Sequence, residues 1–238
     1  MKITLKDNVV KEFDSAMSVL DIAKSISEGL ARNACAGIVD GEVKDLRYVV
    51  DKDAEVSICT FEDEAGKLAF RHTTSHILAQ AVKRLYPDVK LAIGPAIADG
   101  FYYDFDKEKA FTPEELEAIE AEMKKIVKED LPIERFELPR AEAIKYMEER
   151  EEPYKVELIQ DLPEDAIISF YKQGDFTDLC AGPHLMSTKT VKAIKLTSVA
   201  GAYWQRKEQN AVPYLRYILS EGIRTGSLPD NDRRSEKT

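Results

Sequence analysis

The sequence predicts an α+β protein: a small β-grasp unit, then a two-layer unit whose helices pack on a mainly antiparallel sheet. Three observations carry this. The first 61 residues set short strand patterns around one short helix. Residues 64–86 hold an unbroken helical period that stops at Pro87. Beyond it, helices alternate with short strands joined by hairpin-like returns. The expected organisation is 1–61 for the first unit, 62–225 for the second and 226–238 for a disordered tail.

In the first unit Ile3 and Leu5 alternate with polar neighbours, and Val9 and Phe13 do so less regularly. Ser18-Val-Leu-Asp21 is a capping-box-like start for a helix running to about Glu28. Ala36-Gly-Ile-Val39 reads as a buried strand, Asp40-Gly41 as its hairpin turn, and Val56–Thr60 as a last strand. Cys35 and Cys59 sit in this apolar setting as inert core residues.

The long helix of the second unit places Ile77, Leu78, Ala81, Val82 and Leu85 on one apolar arc, at ~100° per residue. Leu91 to Phe105 reads as strand, Gly/Pro loop, strand. Thr112-Pro-Glu-Glu115 starts a helix to about Lys128, with Pro at its first position, a capping-box Glu, and a Glu120–Lys124 pair on what reads as a solvated face. A further helix covers about Arg140 to Glu149. Tyr154–Ile159 and Ala166–Tyr171 read as short strands, with Lys155 facing solvent opposite Tyr154 and Val156.

Hydrophobic residues at 44% are enough for ordinary cores, and no apolar run reaches the ~18 residues of a membrane span. The N-terminal MKITLKDNVVKEF lacks the apolar centre of a signal peptide. Three cysteines are an odd, sparse set that fits a reducing cytoplasm. A net charge of −10 argues against strong non-specific nucleic-acid binding. The charge is uneven, however. Leu179 to Lys207 holds no acid but contains Lys189, Lys192, Lys195, Arg206 and Lys207. This stretch reads either as a chance run on strands or as a phosphate path leading to a site.

The chemistry concentrates in two motifs. All 3 histidines fall in His72-x-x-x-His76 and Cys180-x-x-x-His184. Three imidazoles and a thiol can hold zinc or activate water. The histidine pair stands one turn apart on the helix, away from the apolar arc, on a face lined by small or apolar residues that suits a pocket wall. Gly182-Pro183 keeps the second pair off any regular helix, and Asp178 shares a strand face with Cys180.

Together the stretches MKITLKD, SVLDIAKSI, RHTTSHILAQAVKRLYP, LAIGPAIADGFYYDFD, EPYKVELI, FTDLCAGPHL and SVAGAYW resemble, in order and spacing, the N-terminal half of bacterial threonyl-tRNA synthetases over about residues 1–204. The resemblance implies a ubiquitin-like TGS domain followed by the editing domain shared with alanyl-tRNA synthetase editing proteins. The implied activity is post-transfer hydrolysis of Ser-tRNA(Thr), and the implied partner is the tRNA(Thr) acceptor end carrying serine.

The need for such a site is physical. Serine lacks one methyl of threonine, which is worth only ~1–3 kcal/mol of discrimination. The resemblance puts His72, His76, Lys155, Asp178, Cys180 and His184 in the pocket, lined by Tyr103 and the Gly94-Pro95 loop. It gives His72 the ribose or water proton, Lys155 the water and the developing charge, and Asp178 the substrate's amino group or hydroxyl. Cys180 and His184 shape the pocket. The acid-free stretch, rather than the resemblance, leads to the expectation that Lys189, Lys192 and Lys195 contact tRNA phosphates. No cofactor is required on this reading. Zinc on His72, His76, Cys180 and His184 stays open, because the related alanyl proteins bind zinc with this set.

One departure stands out. After AGAYW the family continues with a Gly-Asp pair towards a class II core, whereas here Gln205-Arg-Lys-Glu-Gln-Asn-Ala-Val-Pro213 follows. The aminoacylation core is therefore expected to be absent. A non-catalytic tRNA-binding or regulatory module and a zinc-dependent small-molecule hydrolase remain the competing functions.

Overall fold

The computed structural model describes residues 1–191, 193–202 and 214–218. Lys192, Arg206, Lys207, the Gln205–Pro213 departure and the 226–238 tail lie outside the described residues.

The first unit runs β1 (Lys2–Leu5), β2 (Val10–Glu12), β3 (Met17–Ser18), α1 (Val19–Ile26), α2 (Glu28–Asn33), β4 (Ala34–Val39), β5 (Glu42–Lys44), β6 (Val49–Val50) and β7 (Ala54–Thr60). Its main sheet has the order β2-β1-β7-β4-β5, with β1 and β7 parallel and the other neighbours antiparallel. This is the β-grasp arrangement. Ser18 accepts the Asp21 N–H at 3.0 Å and caps α1, which lays Val19, Ile22 and Ala23 on Ile3, Val56, Leu46 and Val50. Asp40 and Gly41 both take positive φ, 49° and 84°, as a two-residue hairpin turn requires. Cys35 and Cys59 are buried, and burial pushes the Cys35 thiol up to about 12, so both are inert under ordinary conditions.

The second unit is organised by α3 (Glu64–Leu85). Ile77, Leu78, Ala81 and Val82 are buried as the period predicts, while Leu85 is 38% exposed. The face opposite them is buried as well: Thr73, His76 and Gln80 are each at most 2% exposed. The helix therefore runs through the unit and is covered on all sides over its middle turns. At its start Gly66 passes so close to β7 that a Cβ there would lie 1.8 Å from the Thr60 carbonyl oxygen. Only glycine permits that approach.

Around α3 stand β8 (Lys90–Leu91), the β9–β10 hairpin (Ala96–Ile97, Gly100–Phe101), β11 (Phe105–Asp106), α4 (Pro113–Glu129), β12 (Ile133–Glu137), α5 (Arg140–Glu148), α6 (Pro153–Asp161), β13 (Ser169–Gln173), β14 (Phe176–Leu179), β15 (Ser198–Ala202) and β16 (Tyr214–Ile218). They form an antiparallel sheet β15-β16-β11-β8 and a second antiparallel sheet β12-β13-β14. The α+β class and the mainly antiparallel pairing are as expected. The Thr112 capping box forms as written in the sequence.

Three local expectations are corrected. Tyr154–Ile159 is not a strand but part of α6, started by Pro153 at its first turn, where the missing N–H costs nothing. The strand expected over Ala166–Tyr171 begins only at Ser169. Glu120 is also not on a solvated face. It is 8% exposed and accepts the Leu196 N–H at 3.1 Å.

Candidate active site

Four elements deliver the site. One turn of α3 carries His72, Thr73 and His76. The β14 strand carries Asp178 and leads into Cys180, and the loop after it carries His184. The α6 helix carries Lys155, and the segment between β10 and β11 carries Tyr103.

The three imidazoles meet: ring centroids are 4.2 Å apart for His72–His184, 4.1 Å for His76–His184 and 5.1 Å for His72–His76. His76 and His184 are enclosed, at 2% and 0% exposure, while His72 is only half-buried. Burial depresses all three against the pull of the Asp178 charge on the first two, to about 4 for His72, about 3 for His76 and well below the ordinary value for His184. They are neutral at pH 7.

The tautomer of His184 follows from the network around it. The Thr73 hydroxyl donates its one proton to the Ala69 carbonyl at 2.8 Å and accepts the Leu185 N–H at 2.9 Å. Towards His184 Nδ1, 3.2 Å away, it can only accept, so Nδ1 carries the proton. The Nε2 lone pair then faces Cys180 Sγ at 3.1 Å. Burial, reinforced by the Asp178 charge, raises the Cys180 thiol, which keeps its proton and donates it to Nε2.

Beside this cluster lies a buried ion pair. Lys155, expected on a solvent-facing strand, is 3% exposed and its Nζ stands 2.6 Å from Asp178 Oδ1. It also donates to Tyr103 Oη at 3.0 Å, and that hydroxyl donates to Asp178 Oδ2 at 2.5 Å. Burial alone would raise Asp178, but Lys155, His76 and Tyr103 together hold it below the usual carboxylate range. His76 Nε2 lies 3.6 Å from Asp178 Oδ2 and joins the two halves of the site.

The Gly94-Pro95 loop closes over Tyr103. A Cβ on Gly94 would come within 2.1 Å of the tyrosine ring, and Ser75 Oγ, on α3, holds the Gly94 carbonyl at 2.7 Å. Thus His72, His76, Lys155, Asp178, Cys180, His184, Tyr103 and Gly94 are brought together. Lys189 and Lys195 lie elsewhere, at the surface. Lys189 pairs with Asp130 at 3.0 Å and Lys195 with Glu120 at 3.3 Å. The acid-free stretch of sequence is therefore faced by carboxylates from in and just after α4.

Sequence reading missed Thr73, Tyr171 and Glu152. Glu152 accepts the Leu91 N–H at 2.7 Å and pairs with Lys83 at 2.8 Å, fixing the start of the helix that carries Lys155. Only Pro153, a helix-start signal, could have pointed there.

The four ligand atoms of His72, His76, Cys180 and His184 lie within 4.8 Å of one another. Neutral imidazoles and a cysteine that gives up its proton as the ion binds are a zinc donor set, and a modest contraction would bring them to bonding distance. The residues therefore fit a zinc ion.

A domain model for the TGS domain matches residues 1–60, and one for the threonyl and alanyl tRNA synthetase second additional domain matches residues 168–212. The chain is homologous to the N-terminal region of threonyl-tRNA synthetases. It is 67% identical to a threonine–tRNA ligase of Acetivibrio thermocellus, 65% to one of Clostridioides difficile and 60% to one of Desulforamulus reducens, each over 210 residues. Those alignments take in 88% of this chain and 33% of each relative, so the chain spans about a third of the ligases it matches. In this threonyl-tRNA synthetase region the half-open His72 packs on His76, which stands beside the buried Lys155–Asp178 pair, within a domain of editing type. No described helix is long and apolar enough to cross a membrane.

The buried histidines make folding pH-dependent. Each has its folded value depressed below 6.5, so its contribution is fully present above that value and is lost as pH falls towards about 4. Urea unfolding in a chelator should show stability falling between pH 7 and 5, with up to ~1.4 kcal/mol per pH unit for each histidine protonated only on unfolding. Replacing His76 by Gln should reduce that slope, and equal stability at pH 7 and 5 would contradict the burial of neutral imidazoles.

Proposed function

We propose that this chain hydrolyses the seryl ester of mischarged Ser-tRNA(Thr). The observation that carries the reading is a half-open neutral imidazole, His72, packed on His76 and His184, with His76 beside the buried Lys155–Asp178–Tyr103 group, in a domain homologous to the threonyl-tRNA synthetase N-terminal region.

Hydrolysis of the ester needs an oriented water, stabilisation of the oxyanion and a proton for the leaving ribose oxygen. His72 is open to substrate and neutral, so it takes the water proton and returns it to the ribose oxygen. Lys155 has three N–H donors. Asp178 and Tyr103 take two among the described contacts, and the third is directed to the developing oxyanion. Asp178 Oδ2 accepts from Tyr103 and keeps a lone pair for the substrate ammonium or hydroxyl. Cys180 and His184 occupy the volume that a threonine methyl would need, so serine enters and threonine does not.

His72, His76, Cys180 and His184 would hold zinc, which would fix the cluster as a structural centre. Four protein ligands leave no open position for water, and they would remove His72 from proton transfer. Catalysis therefore runs on the metal-free site. The isolated chain should deacylate Ser-tRNA(Thr), spare Thr-tRNA(Thr), and keep its rate after chelation, while His72→Ala should lose ~10²–10⁴-fold in rate. Equal hydrolysis of both esters would contradict the small pocket. Loss of activity with removal of stoichiometric zinc would make the cluster a catalytic ligand shell, and no hydrolysis of either ester would favour a tRNA-binding module.

Lys189, Lys192 and Lys195 are proposed to contact acceptor-end phosphates, with Lys189 and Lys195 exchanging Asp130 and Glu120 for the incoming anion. The Lys189–Asp130 pair is exposed and worth little, and the buried Glu120 keeps Lys124 and the Leu196 N–H as partners when Lys195 leaves it. Replacing all three by Ala should flatten the salt dependence of tRNA binding by ~0.7–0.9 log units per lost contact. An unchanged slope would place the tRNA elsewhere.

A further inference from the structure

The TGS unit reaches into the wall of the site through a turn between β5 and β6. Asp45 and Arg47 form an ion pair at 2.8 Å, with side chains 9% and 19% exposed. Asp45 Oδ1 also accepts the Arg47 backbone N–H at 2.9 Å. Its other oxygen, Oδ2, accepts from the His184 backbone N–H at 3.1 Å and from Tyr171 Oη at 3.0 Å. The Arg47 guanidinium spans three carbonyls: His184 at 3.4 Å, Leu185 at 2.9 Å and Ile133. The backbone on both sides of His184 is thus held by one acid and one fork from the other domain.

The side chains follow the same arrangement. Tyr171 packs its ring on His184 with centroids 4.4 Å apart. Gly182 has a φ of 78°, and a Cβ there would lie 2.2 Å from Tyr171 Oη. The loop can pass only as glycine because Asp45 holds that hydroxyl in place. His184 keeps Nδ1–H on Thr73 and Nε2 on Cys180 only while its backbone stays where Asp45 and Arg47 hold it. A lysine could not replace the fork, since its single ammonium cannot serve carbonyls from two separate segments and Asp45 at once.

We propose that Asp45 and Arg47 of the TGS domain are positioning residues of the editing pocket, fixing the Pro183–Leu185 segment so that His184 presents Nε2 to Cys180. The proposal rests on the editing reading for its kinetic consequence but not for its structural one. A displacement of ~1 Å in a catalytic constellation can cost ~10²-fold in rate.

The test uses the full chain with chelator, as wild type, Asp45→Asn, Arg47→Met and Arg47→Lys. With only 3 histidines in the chain, a long-range ¹H–¹⁵N imidazole spectrum resolves each ring. Wild-type His184 should show the Nδ1–H tautomer. Asp45→Asn and Arg47→Met should broaden or shift its signals and lower kcat for Ser-tRNA(Thr) by ~10-fold or more with KM within ~2-fold, and Arg47→Lys should recover only part of kcat. Thermal unfolding identifies any variant that fails to fold; Asp45→Asn keeps the side-chain shape and provides the second arm. Unchanged His184 signals in both folded variants would overturn the proposal, as would a kcat loss matched fully by loss of folded protein. If wild type shows no deacylation, the editing reading fails, and the imidazole spectra still decide whether the TGS turn holds His184.

Discussion

A carboxylate and an ammonium removed from water constrain everything around them. Each buried ion costs several kcal/mol in desolvation, and their attraction offsets this only with good geometry and further hydrogen bonds. Asp178 has that geometry: Lys155 at 2.6 Å, Tyr103 at 2.5 Å and the Leu179 N–H at 2.8 Å. The requirement draws α6, β14 and the Tyr103 segment to one point beside α3. Glu152 fixes the start of α6, and Gly94 lets its loop close over Tyr103. The pair is weak evidence of stability but strong evidence of specification, since a misplaced partner would leave an uncompensated charge inside the domain.

Some of this was legible in the sequence because the residue types carry their own chemistry. Three histidines in two motifs must meet if they act together, and they do, with rings 4.1–5.1 Å apart. The Ser18 and Thr112 caps and the Asp40-Gly41 turn were readable because their interactions are local. Lys155 was not. A lysine flanked by Tyr154 and Val156 reads as an alternating strand, and its burial depends on Tyr103, 52 residues earlier, and on Asp178. Likewise, the acid-free run from Leu179 to Lys207 is a property of sequence alone, because α4 brings Glu120 to face Lys195. Asp45 and Arg47 gave no signal, since the groups they hold lie 86 to 139 residues away.

The two domains also divide the work physically. The editing-type domain supplies every side chain of the cluster, and the TGS turn supplies hydrogen bonds to the backbone that carries one of them. Local propensity builds each domain, and long-range polar contacts set the pocket. That difference explains why fold class and motif residues were readable while the supporting residues were not.

On the proposed function, the pocket accepts serine and excludes the extra methyl of threonine. Calorimetric binding of the non-hydrolysable 3′-amide analogues of seryl- and threonyl-adenosine to the chelator-treated chain measures this selectivity without turnover. The seryl analogue should bind measurably, the threonyl analogue should bind more weakly by at least ~10-fold, and Asp178→Asn should lose seryl binding. Equal affinity for the two analogues, or seryl binding indifferent to Asp178, would contradict it.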